Sequence, residues 1–413
     1  MTDTKPIRGT ASAVRRTSDA SPTKSPEQAR DPTFVPFARP DIGPDEIAAV
    51  TSALQSGWIT SGPQVRAFEA RVAEYLGSGV ECVAVSSATA GLHLALEACN
   101  LEPGSEVIVP THTFTATAAA VRYVGAEPVF VDVDPQTYCL DPRAVERAVT
   151  ERTSAIIPVH FAGRPAEMDA ILGIAERFDI DVIEDAAHAF SAAYRGAPIG
   201  TLATAATVFS FHATKVLTTG EGGMLVTADA EIAARARTMR SHGIDRDAFS
   251  RSARSSWRYE VRELGFKYNM TDIAAAIGIS QLARMKELRA RRLELVERYA
   301  KGLRRLPLSL PPAPQSASSH AWHLYVVQLT DDARVSRDEV VDRLRERQVE
   351  CSVHYVPLHM QPYWRDLYGL RANDFPHSQR LAERSFSLPL HTRMTDADQA
   401  QVIGALDAVL GER

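Results

Sequence analysis

The sequence predicts an α/β protein, with a large domain on a mostly parallel sheet and a smaller α+β domain at the C-terminus. Two observations carry this. From about residue 80 to residue 211, short apolar runs alternate with stretches of helical spacing. Beyond Met270 that rhythm gives way to a long helix, a Pro/Ser-rich connector and a mixed pattern. Strand and helix in alternation imply parallel strands joined by helical crossovers, which cover the sheet on both faces.

The elements follow in order. Residues 80–85, 106–109, 128–131, 155–159, 181–183 and 207–211 are short apolar runs and read as buried strands. Residues 90–98, 143–149 and 168–178 between them have helical spacing. Thr271 is placed to cap one long helix reaching about Ala300, with Ile273, Ile277, Met285 and Leu288 on one side. Arg289, Arg291 and Arg292 in its middle read as a solvated face. A connector over 306–319 leads to runs at 322–329 and 338–347 and a final helix from about Ala397. The expected division is a large domain over 33–290 and a small one over 291–413. Residues 1–32 hold nine Ser/Thr residues, several prolines and no apolar run fit for a signal-peptide core, so a disordered tail is expected there.

Composition narrows the function. With 413 residues, 45% apolar and 23% charged, the chain can bury a core that needs no disulfide or structural metal. Cys82, Cys99, Cys139 and Cys351 are scattered, without CxxC pairs or metal-ligand spacing, as in a reduced cytoplasmic protein. A net charge of −5 argues against nucleic acid, and no stretch approaches the ~18 apolar residues that cross a bilayer. The expectation is a soluble, cytoplasmic protein with no metal, nucleic-acid or membrane partner.

Sheets of this kind bind ligands at the carboxyl ends of their strands. Three sequence elements fall there. Val83-Ala84-Val85 runs into Ser86-Ser87-Ala88-Thr89-Ala90-Gly91 and a helix. Small residues at such a turn expose backbone N–H groups that favour a phosphate, although a Ser/Thr cap alone would look the same. Val182-Ile183-Glu184-Asp185-Ala186-Ala187-His188 puts two acids at the end of a buried strand, where a carboxylate must be matched by a partner. That partner is a pyridine nitrogen, an arginine, or the next helix start; no second His/carboxylate cluster supports a metal. Phe209-Ser210-Phe211-His212-Ala213-Thr214-Lys215 follows a strand and precedes Gly220-Glu221-Gly222-Gly223. A loop lysine is ordinarily a solvated charge, protonated with a pKa of about 10.4. Between a buried strand and a glycine-dense turn its setting is less usual, and enzymes make such an amine reactive by desolvation or by storing it as an imine with a carbonyl cofactor. No GxxxxGK[ST] nucleotide loop is present.

At these residues the sequence resembles the DegT/StrS family of pyridoxal-phosphate (PLP) nucleotide-sugar aminotransferases. The resemblance runs from about Phe37 to the C-terminus. It rests on Gly57-Trp58-Ile59-Thr60-Ser61-Gly62-Pro63, the Ser87–Leu92 turn and Ile156-Ile157-Pro158-Val159-His160-Phe161-Ala162-Gly163. Further motifs are Ile183–His188, Ser210–Lys215, Glu221-Gly222-Gly223 and Lys267-Tyr268-Asn269-Met270-Thr271-Asp272. It implies the aspartate-aminotransferase (type I) fold and a homodimer with shared active sites. It also implies pyridoxal 5'-phosphate held by Lys215 as a Schiff base, with Asp185 on the pyridine nitrogen. Ala88, Thr89 and Ser210 fall at phosphate positions, and Asn269 at one reached from the partner subunit. His188 falls near the phenolic oxygen, and Phe114 where an aromatic ring stacks on the pyridine; a core aromatic is the other reading of Phe114. Trp58, Thr60, His354, Tyr355 and His359 match family loops around the sugar, or equally pack within their own domain.

Ser87–Gly91, Phe211–Lys215 and His320-Ala321-Trp322-His323-Leu324-Tyr325 look most like the branch that forms UDP-4-amino-4-deoxy-L-arabinose. Phe114, where that branch has Trp, and Val216-Leu217-Thr218-Thr219 are closer to the wider family. The expected reaction moves an amino group from L-glutamate to a keto group, 4-keto before 3-keto, of a nucleotide-linked sugar. The alternatives are a PLP-dependent sugar dehydratase, whose relatives resemble versions with His at the lysine position, and a PLP-binding regulator without turnover. A lysine aldolase leaves Asp185 and the Ser87–Thr89 turn unexplained.

Overall fold

A computed structural model of the chain describes residues 34–77, 79–245, 257–314, 316 and 319–411. The expected tail over 1–32 lies outside the described residues. The principal sheet has seven strands: β1 (Glu81–Val85), β2 (Glu106–Pro110), β3 (Glu127–Val131), β4 (Thr153–Ile156), β5 (Asp181–Asp185), β8 (Ala206–Ser210) and β9 (Gly223–Thr227). A small hairpin, β6 (Ala193–Tyr194) and β7 (Ala197–Pro198), lies outside it. The order is β1-β9-β8-β5-β4-β2-β3. The five strands from β8 to β3 pair in parallel, and β9 runs antiparallel to both β8 and β1.

Alternate residues enter opposite faces of this sheet. Val83, Val109, Ile183, Val208 and Leu225 pack into one core, whereas Ala84, Ile108, Val182, Phe209 and Met224 pack on the other side. Both sides are dry, which is why the strands read as continuous apolar runs. Helices α1 (Pro44–Gln55) and α2 (Pro63–Leu76) precede the sheet, and α3 (Ala88–Ala98), α4 (Thr115–Tyr123), α5 (Pro142–Ala148), α6 (Met168–Phe178) and α7 (Ala230–Met239) follow successive strands.

Three expectations about element bounds change. The strand expected over 155–159 ends at Ile156, two residues before Pro158, which has no N–H to add to a ladder. β9 is an additional, antiparallel strand; its apolar run is short and opens on Gly223, so periodicity does not mark it. The long helix from Thr271 is two helices, α8 (Asp272–Ala283) and α9 (Met285–Leu303), broken at Arg284. Thr271 does cap the first, its hydroxyl accepting from the Ala274 N–H at 3.2 Å.

The arginines of α9 are not a solvated face. Arg292 is buried and donates to the carbonyls of Trp322 (2.9 Å) and Leu390 (3.1 Å), and burial pushes its guanidinium down to about 10. Arg289 donates to the hydroxyl of Ser191 at 3.2 Å, and Arg291 to the Met394 carbonyl at 2.7 Å. The helix joins two cores: Met285 and Leu288 pack with the principal sheet, Leu295, Tyr299 and Leu303 with the second. That second core surrounds a three-stranded antiparallel sheet, β10 (Leu308–Ser309), β11 (Tyr325–Leu329) and β12 (Ser385–Leu388). It is covered by α10 (Arg337–Glu346) and α13 (Asp396–Leu410), while α11 (Pro362–Tyr368) and α12 (Pro376–Arg384) lie between them in sequence. The Thr395 hydroxyl and Asp398 carboxylate cap the final helix reciprocally.

Candidate active site

The pocket sits where parallel strands end. It is about 360 Å³ and is lined by residues from the β1–α3 turn, the ends of β5 and β8, and the 354–355 segment. The Ser87 hydroxyl caps α3, accepting from the Ala90 N–H at 3.2 Å, so Ala88 and Thr89 form the helix's first turn at the pocket wall. Gly223 of β9 crosses directly behind this turn. A Cβ at Gly223 would lie 2.7 Å from the Ala88 nitrogen, so only glycine permits the approach.

Asp185 ends β5 and is buried. One carboxylate oxygen accepts from the Thr117 hydroxyl at 2.7 Å, the other from the Ala187 N–H at 3.2 Å. Burial raises its pKa above the ordinary carboxylate value, partly opposed by those bonds and by the charge of Lys215. Among the described residues no arginine pairs with it, and it caps no helix, which removes two of the alternatives open from sequence. Lys215 lies in the twelve-residue-scale connection between the adjacent strands β8 and β9, so both ends of its loop are anchored. Desolvation lowers its amine to about 8 against the opposing pull of Asp185. The neutral fraction of the amine at pH 7 rises accordingly above that of a free lysine.

Of the other residues named from sequence, Ser210, Phe114, His188, His354 and Tyr355 line the same pocket. Phe114 is 56% exposed, so it is a wall and not a core aromatic. His188 is buried with both ring nitrogens engaged: Nδ1 accepts from the Ala162 N–H (3.2 Å), and Nε2 lies 2.9 Å from the Tyr355 hydroxyl. Burial holds its pKa well below the usual value, and burial likewise pushes His354 down to about 4. His354 Nδ1 meets the Ser387 hydroxyl at 2.9 Å.

Four named residues lie elsewhere. His359 is not part of the pocket lining: it is buried, with Nδ1 at 3.0 Å from the Thr111 hydroxyl and Nε2 at 3.1 Å from Gln379, so it ties loops together. Trp58 and Thr60 are also outside the lining, with the indole N–H of Trp58 donating to the Ser61 carbonyl at 3.0 Å. Asn269 donates to the Ser61 hydroxyl at 2.6 Å and does not reach this pocket within the chain.

Sequence reasoning missed Thr117, one of several threonines between 111 and 117 with nothing to single it out. It missed His323 too, which lines the pocket with its ring centroid 4.4 Å from that of His188 and its Nδ1 without a hydrogen-bond partner. The other acid of the pair, Glu184, it did not place. Glu184 points to the opposite face and is wholly enclosed by Thr207 (2.6 Å), Thr204 (2.9 Å) and His160 (2.7 Å).

This donor set suits a phosphorylated pyridine aldehyde. A helix N-terminus with the Thr89 and Ser210 hydroxyls can hold the phosphate, Asp185 the ring nitrogen, Lys215 the aldehyde carbon, and Phe114 the ring face. Among the described residues no group of three His, Cys, Asp or Glu is placed to hold a metal ion.

Fold and pocket together define a PLP-type aminotransferase architecture. A profile of the DegT/DnrJ/EryC1/StrS aminotransferase family matches residues 40–407, and the chain belongs to that family. It is 44% identical over 382 residues to the spore coat polysaccharide biosynthesis protein SpsC of Bacillus subtilis, covering 92% of this chain and 98% of that protein. A putative sugar aminotransferase of Streptococcus pneumoniae, Spr1654, solved in PMP and PLP forms, superposes with TM-scores of 0.85 and 0.84 at 32% identity, over 92% of this chain and 99% of that one. PseC of Helicobacter pylori, an aminotransferase of pseudoaminic acid biosynthesis, superposes with a TM-score of 0.85 at 25% identity, over 92% of this chain and all of that one.

Proposed function

We propose that this protein is a PLP-dependent aminotransferase that moves an amino group from L-glutamate to a keto group, 4-keto before 3-keto, of a nucleotide-linked sugar. One observation carries the reading: a lysine with a lowered pKa and a buried carboxylate line one pocket beside a helix N-terminus. Family membership supports aminotransferase chemistry. The sugar substrate is supported by the polysaccharide and sugar roles named for SpsC, Spr1654 and PseC.

When bound, PLP supplies the electron sink that stabilises negative charge at a substrate carbon. The protein's own contribution is positional. Asp185, held by Thr117 and Ala187, would meet the ring nitrogen and hold it protonated. The Lys215 amine takes the proton from the donor Cα, a task that needs a base poised near the working pH. Ala88, Thr89 and Ser210 orient the phosphate. The presence of Lys215 disfavours the dehydratase alternative.

We further propose a cytoplasmic homodimer in which Asn269 serves the partner subunit's pocket, with Trp58 and Thr60 beside it. Their positions outside the chain's own pocket support this, and no described helix is long and apolar enough to cross a membrane. The division near residue 290 and the likeness to the UDP-4-amino-4-deoxy-L-arabinose branch belong to the same proposal.

The test has two stages. L-glutamate alone should change the absorbance of the holoenzyme's cofactor and release 2-oxoglutarate; no change would overturn the donor and leave a regulator. UDP-, dTDP- and GDP-linked keto-sugars, offered next, should include one that restores the starting spectrum.

A further inference from the structure

The chain around His323 is tied down from several sides. The Ala321 N–H donates to the Gly163 carbonyl at 2.8 Å, and the Leu324 N–H to the Ala162 carbonyl at 3.2 Å. Arg292 donates to the carbonyls of Trp322 at 2.9 Å and His323 at 3.4 Å. Trp322 has a left-handed φ of 52°, a conformation that a bulky residue keeps only where its surroundings impose it. Gly163 permits the close approach, because a Cβ there would lie 3.0 Å from the Trp322 nitrogen. These contacts fix the His323 ring in the pocket wall.

The ring arrives with hydrogen-bonding capacity left over. It is 6% exposed, and its Nδ1 is enclosed without a partner. Burial, and after it the charge of Lys215, push its pKa well below the usual value, so the ring carries one proton. An enclosed N–H is left unpaired more rarely than an enclosed lone pair, which puts that proton on Nε2, the nitrogen that remains for the pocket. The His188 ring stands 4.4 Å away. The family resemblance places His188 near the cofactor's phenolic oxygen, and on a pyridoxal ring that oxygen neighbours the aldehyde carbon. A residue beside both His188 and Lys215 therefore flanks the reacting carbon.

An amino-acid donor brings its carboxylate to that place, because the carboxylate sits on the same carbon as the amine. An N–H that donates to a carboxylate makes a charge-assisted bond, about twice as strong as one between neutral groups. We infer that Nε2 of His323 donates to the α-carboxylate of the amino donor and so holds the donor Cα where the Lys215 amine takes its proton. This rests on the aminotransferase reading above and leaves His188 its place at the cofactor. A keto-sugar has no carboxylate on its reacting carbon, so His323 serves the donor half of the reaction and not the acceptor half.

The experiment separates the two halves in the holoenzyme. With L-glutamate alone, the rate of the cofactor's absorbance change gives the glutamate concentration at half-saturation. His323→Leu should raise that concentration about 10- to 100-fold, the loss expected for a hydrogen bond to a charged group, with the resting spectrum as in wild type. His323→Asn, whose amide N–H can reach the same oxygen, should recover most of the loss, and it carries the test if the Leu variant does not fold. Converted to its amino form with excess glutamate, His323→Leu should pass the amine to the keto-sugar selected by the substrate panel at the wild-type rate. Unchanged half-saturation in the variants overturns the inference. So does an equal loss in both halves, which marks a structural role, and so does a shifted resting spectrum, which would assign the ring to the cofactor. The wild-type response to glutamate reads the underlying function separately: if it is missing, the aminotransferase reading fails, whatever His323 does.

Discussion

The two faces of strand β5 carry neighbouring acids with opposite fates. On one face Glu184 accepts three hydrogen bonds, from Thr204, Thr207 and His160, and all of its surface is enclosed. His160 is itself locked, its Nδ1 accepting from the Ala166 N–H at 3.0 Å. On the other face Asp185 has one hydroxyl and one backbone N–H, and it lines a pocket that also holds Lys215. Burial is nearly equal, so burial does not distinguish them. What differs is satisfaction: a carboxylate with its donors supplied by the fold is structural, and one with capacity left over is available to a ligand.

This contrast can be broken in order of expected size. Lys215→Ala should abolish turnover by about a thousandfold or more, because the base at the reacting carbon is gone. Measurable steady-state transamination near the wild-type rate would remove Lys215 from the mechanism. Asp185→Asn should cut kcat about 100-fold with little loss of Tm, since the amide keeps the volume and removes a charge that burial opposes. Glu184→Gln should do the reverse, lowering stability by about 2–3 kcal/mol in denaturant titrations while changing kcat only a few-fold. If the Asn variant proved the less stable and the Gln variant the less active, the assignment of the two faces would be wrong. Thr117→Val should lower kcat about tenfold by removing one donor from Asp185.

The smallest effect concerns pH. In cofactor-free protein the Lys215 amine is depressed to about 8 from an ordinary 10.5, so the fold disfavours its charged form. Stability from this group is fully present above about 10.5 and is lost as pH falls toward 8, because the unfolded chain binds the proton first. Lys215→Met in the cofactor-free state should therefore raise Tm at pH 7, with the gain shrinking as pH rises from 8 to 10.5. A gain that stayed constant across that range would mean the amine is not desolvated.

The same contrast shows how far the sequence could be read. Strands β1, β2, β3, β5 and β8 were legible because a strand buried on both faces must be apolar throughout. That Asp185 and Lys215 line one pocket was legible because strand ends in parallel sheets are where ligands bind. β9 was not, since a short strand that begins with glycine has no pattern of its own and is defined by Gly223 packing on the Ala88 turn. Arg292 was misread because a charged residue in a helical run looks solvated until the carbonyls of Trp322 and Leu390, about 30 and 98 residues away, are folded around it. The sequence left His359 between a sugar-site and a packing role for the same reason: its partners Thr111 and Gln379 come from distant loops.

By itself, then, the sequence determined the α/β architecture, three of the loops that line the pocket and the lysine among them. These depend on local patterning: apolar runs, small residues at a strand-to-helix turn, and a lysine beside glycines. Only the tertiary structure decided how each acid of the Glu184-Asp185 pair is satisfied, and which loop histidine lines the pocket and which braces other loops. Those outcomes depend on which donors and acceptors meet across 20 to 250 residues of chain (~Thr204 to Glu184 at one extreme, Thr111 to His359 at the other), and hydrogen-bond satisfaction is a property of the assembled fold.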